Sequence, residues 1–202
     1  NSIFTHYVTH RKIDQNELSE TVKELIVFIK DNRRYILRVT PSVEQRTKNF
    51  LVAHSMRTTV LAITIGLQEH LPLSKLIELG VACILHEIGM VRLPPQLYMS
   101  DKKFTPGEKA QVMTHPILGY NILKELDFPM SIQLGVLEHH EKENASGYPR
   151  QLSGDKIISY AKIIAVACTF EAITAPRSYK DERSTFEAMV EMLKNANHQY
   201  DD

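Results

Sequence analysis

Residues 139–149 read His139-His140-Glu-Lys-Glu-Asn-Ala-Ser-Gly147-Tyr148-Pro149. The first residues close an apolar run that begins after Pro129 and reads as a helix over about 129–142. The remainder is turn chemistry from Asn144 to Gly154, because Asn, Ser, Gly and Pro each favour a turn for a backbone reason of their own. Two adjacent imidazoles therefore stand where a helix gives way to a loop. Working upstream, His115-Pro116 opens a helix over about 116–126. Before it, Thr105-Pro106-Gly107-Glu108 reads as a capping box, with Thr at N-cap, Pro at the first helical position and Glu at the third. Residues 91–104 hold Pro94-Pro95 and no clear period, and read as a loop. A helix over about 74–88, capped by Ser74 and stopped at Gly89, carries His86-Glu87 at its end.

A helix over about 43–70, ended by Pro72, holds His54 in its interior. A lead-in helix over about 14–39 places Leu18, Val22, Leu25, Ile26, Ile29 and Ile36 on one stripe and is broken at Pro41-Ser42. Downstream, Asp155 to Ala175 is apolar at 157, 158, 161, 163, 164, 166 and 167, a buried helix. Residues 181–197 read as a last helix with Phe186, Met189, Val190 and Leu193 on one face. No run of five residues alternates at period two, so the expected class is all-α.

Composition bounds the function. The 202 residues are 43% hydrophobic and 24% charged, enough to bury a core and too apolar for disorder. Lys+Arg and Asp+Glu both number 24, so no basic field exists to hold a nucleic acid polymer or an anionic membrane. No apolar run reaches membrane-spanning length, and the expectation is a chain without a secretory leader. Two cysteines exclude a disulfide scaffold and suit a cytoplasmic protein. The chain opens on Asn1, and the lead-in stripe needs a partner surface. The expectation is an upstream sensory or receiver module, and either packing of this helix on the domain or a homodimer stem through it.

Nine histidines exceed what bulk composition needs. A histidine in a helix is ordinarily a packing residue, and His6 and His10 near the terminus carry no further signal. His54, His86, His115, His139 and His140 differ, because they fall at helix ends or in a helix interior, where rigid elements can converge neutral imidazoles on a metal. The order is His54, then His86-Glu87, then His115-Pro116 with Gly119. His139-His140-Glu141 with Ser146-Gly147-Tyr148-Pro149 follows, and last come Ala172-Ile173-Thr174 with Arg177, Tyr179 and Lys180.

With this order of motifs the chain from about His54 to Lys180 resembles the HD-GYP domain, a bacterial subgroup of the HD phosphohydrolase superfamily. The resemblance implies an HD-domain-like helical bundle over 43–197 behind a helical lead-in over 1–42. It implies a metal-dependent phosphodiesterase that hydrolyses cyclic di-GMP through two-metal catalysis. His54, His86, Glu87 and Cys168 would hold one cation. Glu87, His115, His139 and His140 would hold the other, with Glu87 as bridge and catalytic carboxylate. Such nitrogen-rich ligation suits iron or manganese better than magnesium, and Cys168 tilts the choice toward iron or zinc. Gly147, Tyr148 and Pro149 would line the substrate pocket. Arg177 and Lys180 would hold the second phosphate of the cyclic dinucleotide, the guanidinium fork suiting phosphate.

Five departures from the family pattern are visible. The His-Asp pair is His86-Glu87, one methylene longer; the Lys three residues on is Met90; the late Asp ligand falls on Cys168. Phe50 stands one turn before the first His, where some members have a Glu for a third metal. Glu143-Asn144-Ala145 replaces aromatic-Asp-Gly. The alternative expectation is therefore a degenerate domain that binds cyclic di-GMP or a partner protein without hydrolysis. A mononucleotide phosphohydrolase of the wider superfamily is disfavoured, because that group lacks the Gly-Tyr-Pro segment.

Overall fold

A computed structural model describes residues 2–32, 50–99, 104–175, 183–196 and 198–200. Among them the fold is helical: α1 Ser2–His10, α2 Gln15–Asp31, α3 Phe50–Gln68, α4 Leu73–Leu85, α5 Gln96–Met99, α6 Pro106–Val112, α7 His115–Glu125, α8 Met130–Glu138, α9 Ser159–Thr174 and α10 Thr185–Lys194. Two 3₁₀ turns, Ile88–Arg92 and Gly154–Lys156, interrupt the connections. The β pairing among these residues is one isolated bridge, Ala196 to Tyr200, so the all-α expectation holds. No helix among them is long and apolar enough to cross a membrane.

α4 organises the bundle. Leu76 and every residue from Leu79 to Leu85 are buried, so it is covered on all sides rather than along one stripe. α3, α8 and α2 pack against it, and α9 lies across α3 and α8. Leu18, Val22, Ile26 and Ile29 of α2 join the same core as Ile63, Leu79, Leu85, Ile122, Leu123, Val136 and Ile164. Each such side chain contributes roughly 1.5–3 kcal/mol on burial. The lead-in stripe thus finds its partner within the chain, on α3 and α4. Its other face leaves Val27 and Phe28 exposed.

Local signals explain the boundaries. Asp14 caps α2 by accepting from Asn16 N and Glu17 N at 2.9 and 3.0 Å. Thr105 and Glu108 form the expected reciprocal box at the start of α6, and Ser184 with Glu187 forms another at α10. Other expectations shift. α4 begins after Pro72, and Ser74 makes no cap. It ends at Leu85, because the chain tightens into the Ile88–Arg92 turn; α8 ends at Glu138, so His139 and His140 lie just beyond it. The expected loop 91–104 contains the end of that turn and α5. α1 was not anticipated; its buried Tyr7 accepts from Arg92 at 2.6 Å and ties it to the 3₁₀ turn. On α10 the apolar face stays largely uncovered, with Phe186, Met189 and Leu193 exposed. The expected segments 33–42 and 43–49, and Arg177 and Lys180, lie outside the described residues.

Candidate metal centre

Helix ends build the site. A helix leaves its last carbonyls without intrahelical partners. His86, following α4, donates Nδ1–H to Cys83 O at 2.6 Å. His115, following α6, donates to Val112 O at 2.7 Å, and His139, following α8, to Val136 O at 2.7 Å. The same i to i−3 contact thus recurs at three helix ends. It gives a helix-end carbonyl a side-chain donor and fixes the tautomer, so each Nε2 lone pair faces inward. His54, inside α3, uses a carboxylate instead: its Nδ1 lies 2.5 Å from Glu171 Oε2 of α9, and Arg57 Nη1 lies 3.6 Å from Glu171 Oε1.

The inward atoms fall into two groups. His54, His86 and Cys168 form one, and Glu87, His115, His139 and His140 the other. His54 Nε2 stands 3.3 Å from His86 Nε2 and 3.5 Å from Cys168 Sγ. In the second group His115 Nε2 stands 3.2 Å from His139 Nε2. Glu87 joins the groups: its Oε1 lies 3.8 Å from His54 Nε2 and 3.9 Å from His86 Nε2, while Oε2 lies 3.6 Å from His115 Nε2. One carboxylate therefore shows an oxygen to each group. The donors fit two divalent cations in type, in number and in the direction of their lone pairs. The first group is fully buried; Glu87 and His140 are partly exposed and give the second group its access to solvent.

The electrostatics follow from this crowding. Burial opposes charge on Glu87, but the imidazoles of His115, His86, His54 and His140 outweigh it and hold the carboxyl down at about 2. Burial also drives His140 down to about 3 and His139 well below the ordinary value, reinforced by neighbouring imidazoles. Both imidazoles are neutral at physiological pH. For Cys168 burial is overcome by His54 and His86, which bring the thiol down to about 7. His54 is raised well above 6.5, burial being outweighed by Cys168 and Glu171.

These directions predict acid lability. Between pH 6.5 and about 3 the unfolded chain takes up protons that His140 and His139 refuse, so stability falls as pH drops through that window. Glu87 adds loss with the same sign from 4.5 downward. His54 acts in a different window: its contribution is fully present below 6.5 and is lost only as pH rises through its raised value. Melting of the metal-free protein should give a falling midpoint below pH 6.5, and His140→Gln should flatten that slope.

The Gly-Tyr-Pro loop is pinned to the centre. Glu141 accepts from Arg150 N at 2.6 Å and Leu152 N at 2.9 Å, while Glu138 accepts from Arg150 Nη1 at 2.7 Å and Ile158 N at 2.9 Å. Tyr148 N donates to His140 O at 3.1 Å, and the Tyr148 ring stacks on His140 with centroids 4.7 Å apart. The tyrosine thus braces the His140 ring. A Cβ on Gly147 would lie 2.5 Å from Glu141 Cα and from Lys142 N, so the loop closes on the helix end only with glycine there. Pro149 follows a cis peptide bond. Ala145, where the family usually has Gly, takes φ of 60°, a left-handed conformation costing an alanine roughly 1–2 kcal/mol. Met90 is buried in the 3₁₀ turn and supplies no cation where the family has Lys.

Sequence reasoning brought together all seven proposed ligands but missed Glu171. Its signal was a carboxylate one turn beyond Cys168 in a largely apolar helix, where only a paired charge can be buried. Glu171→Gln should weaken metal binding about 10–100-fold, as removal of a ligand's outer partner does elsewhere. Competition with a chromophoric chelator would measure it; unchanged affinity would make Glu171 a packing residue only.

Comparison with known proteins supports the motif reading. The HD domain family profile matches residues 41–202. Cyclic di-GMP phosphodiesterase PdeB of Borreliella burgdorferi is 27% identical over 79% of this chain and 42% of its own length. The cyclic di-GMP phosphodiesterase response regulator RpfG of Xanthomonas campestris is 33% identical over 74% of this chain and 40% of its own length. The chain thus spans about two fifths of these relatives. Among solved structures, an HDG"Y"P protein from Bdellovibrio bacteriovorus superposes with TM-score 0.75 over 93% of this chain and 60% of that one, at 18% identity, a likeness of fold. Profile, relatives and the His-His-Glu to Gly-Tyr-Pro string agree: the chain belongs to the HD-domain family, in its HD-GYP branch.

Proposed function

We propose that this chain is the catalytic unit of a metal-dependent phosphodiesterase that hydrolyses cyclic di-GMP in bacterial signalling. The observation that carries the reading is Glu87, whose two oxygens face two separate groups of imidazole donors. Two divalent cations, iron first with manganese or zinc as alternatives, would be held by His54, His86, Glu87 and Cys168 and by Glu87, His115, His139 and His140, and would supply Lewis-acid charge and a water of lowered pKa. The chain's own residues do the rest. Glu87 holds the negative charge between the groups and stays ionised across the working pH range. Backbone-anchored His86, His115 and His139 keep their donors preorganised, so no reorganisation is needed during reaction. Glu87 and His140 mark the open side, where Gly147, Tyr148 and Pro149 line the approach of the substrate. Arg177 and Lys180 are proposed to hold its second phosphate.

Residues 43–197 are proposed as the catalytic unit and 1–42 as the lead-in that links it to a sensory module, acting in the cytoplasm. α2 packs on α3 and α4, the helices that carry His54 and deliver His86, so a shift of the lead-in bears on the metal ligands. The test is turnover of cyclic di-GMP by protein loaded with iron, manganese, nickel or zinc, with products separated by chromatography. Appearance of the linear dinucleotide or GMP supports the reading; no product with any of the four rejects it.

The buried thioether of Met90 favours a second reading, binding without hydrolysis. Calorimetry showing uptake of cyclic di-GMP without product would establish it. On the first reading Met90→Lys should raise turnover about 10²-fold, the usual worth of one well-placed cationic donor. No gain would leave Met90 out of the rate.

A further inference from the structure

The two donor groups are chemically unequal, and the inequality comes from Cys168. One group offers a sulfur and two imidazoles, all buried; the other offers three imidazoles beside the partly exposed Glu87. Behind the first lies a further buried carboxylate, Glu171, bonded to His54. Behind His115 and His139 lie only backbone carbonyls. The Cys168 group therefore has softer donors and less contact with water.

Its spacing also selects. Tetrahedral bonds of about 2.0–2.1 Å to nitrogen and about 2.3 Å to sulfur separate two nitrogens by about 3.4 Å and a nitrogen from a sulfur by about 3.6 Å. His54 Nε2 stands 3.3 Å from His86 Nε2 and 3.5 Å from Cys168 Sγ. Two edges of such a tetrahedron are in place, the third lies within 4.8 Å, and Glu87 Oε1 stands 3.8 and 3.9 Å from the two nitrogens. Four ligands saturate a zinc-like ion and leave no open position.

We infer that the two halves take different cations and hold them unequally. The His54–His86–Cys168 half retains a thiophilic, zinc-class ion, and the Glu87–His115–His139–His140 half takes an iron- or manganese-class ion that exchanges with solvent and meets the substrate. The inference rests on the two-cation reading above and deepens it.

Cobalt(II) is the probe, because a thiolate ligand gives it an intense near-ultraviolet charge-transfer band that imidazole and carboxylate do not. Metal-stripped full chain titrated with cobalt should develop this band and saturate it at one equivalent, with a second equivalent adding none. One equivalent of zinc should then remove the band. A chelator challenge of zinc-loaded protein should release one equivalent at least tenfold more slowly than the other. Cys168→Ser should lose the band and still take up the second equivalent. Cys168→Asp should bind two equivalents without the band and bring the release rates together. Two ions bound to the unmodified chain with no thiolate band, a band growing through both equivalents, or a single release rate would overturn the inference and leave the two-cation reading standing. Uptake of no ion would overturn that reading itself.

Discussion

Glu87→Gln is expected to lower turnover of cyclic di-GMP by more than about 10³-fold, beyond the loss of a single charge-stabilising donor. The amide keeps the shape of the carboxylate but carries no charge, and one of its two ends donates instead of accepting. In the unmodified chain Oε1 faces His54 and His86 while Oε2 faces His115. The Gln variant can present an acceptor to only one side. The His115–His139–His140 group loses its sole anionic donor, and metal analysis should find about one ion per chain in place of two. Glu87→Asp, which restores the residue usual in the family, should keep two ions and turnover within about tenfold, because charge and both oxygens survive. A Gln variant with two ions and unimpaired turnover would remove the bridge from the mechanism.

Gly89→Ala is expected to damage fold and site together. A Cβ there would lie 2.0 Å from His115 O and 2.6 Å from Gly119 N. Both are backbone atoms, so no rotamer change relieves the clash, and the 3₁₀ turn must move away from α7. Overpacking costs about 3 kcal/mol at the upper end of the usual range. For a chain of this size that lowers the thermal midpoint by about 6–12 °C. The turn begins directly after Glu87 and α7 begins at His115, so the displacement opens the 3.6 Å approach of Glu87 Oε2 to His115 Nε2. A misplacement of about 1 Å costs about 10²-fold in rate. Turnover should fall by that much even at temperatures where the variant is folded. Gly107→Ala is the control: its Cβ meets nothing within 4 Å and sits in α6, where alanine is the better helix former. Equal melting of Gly89→Ala and the unmodified chain would refute the close approach.

Much of this protein was legible in order and type of residue. Apolar spacing placed α4, α7, α8 and α9, the start of α2 and the end of α3 within a few residues of their observed positions, because a helix burying one face must repeat at 3.6. The Thr105–Glu108 box marked the start of α6, since both of its hydrogen bonds are local. The candidate donors were legible through the resemblance of their order along the chain to that of the family. Helix ends were less so: α4 and α8 stop at Leu85 and Glu138, where contacts with α7 and the Gly-Tyr-Pro loop replace further helical turns. α1 went unread because its anchor, Tyr7, is held by Arg92, distant in sequence.

Sequence by itself determined the helical class and the family, and through the family the candidate donors, because these depend on residue type and order along the chain. Tertiary structure alone decided that Glu87 turns one oxygen to each donor group, that Glu171 stands behind His54, and that Tyr148 braces His140. It also decided that Cys168 completes a buried triangle with His54 and His86. These relations join residues on different helices, and their distances are set by how α3, α4, α8 and α9 pack rather than by any spacing along the chain.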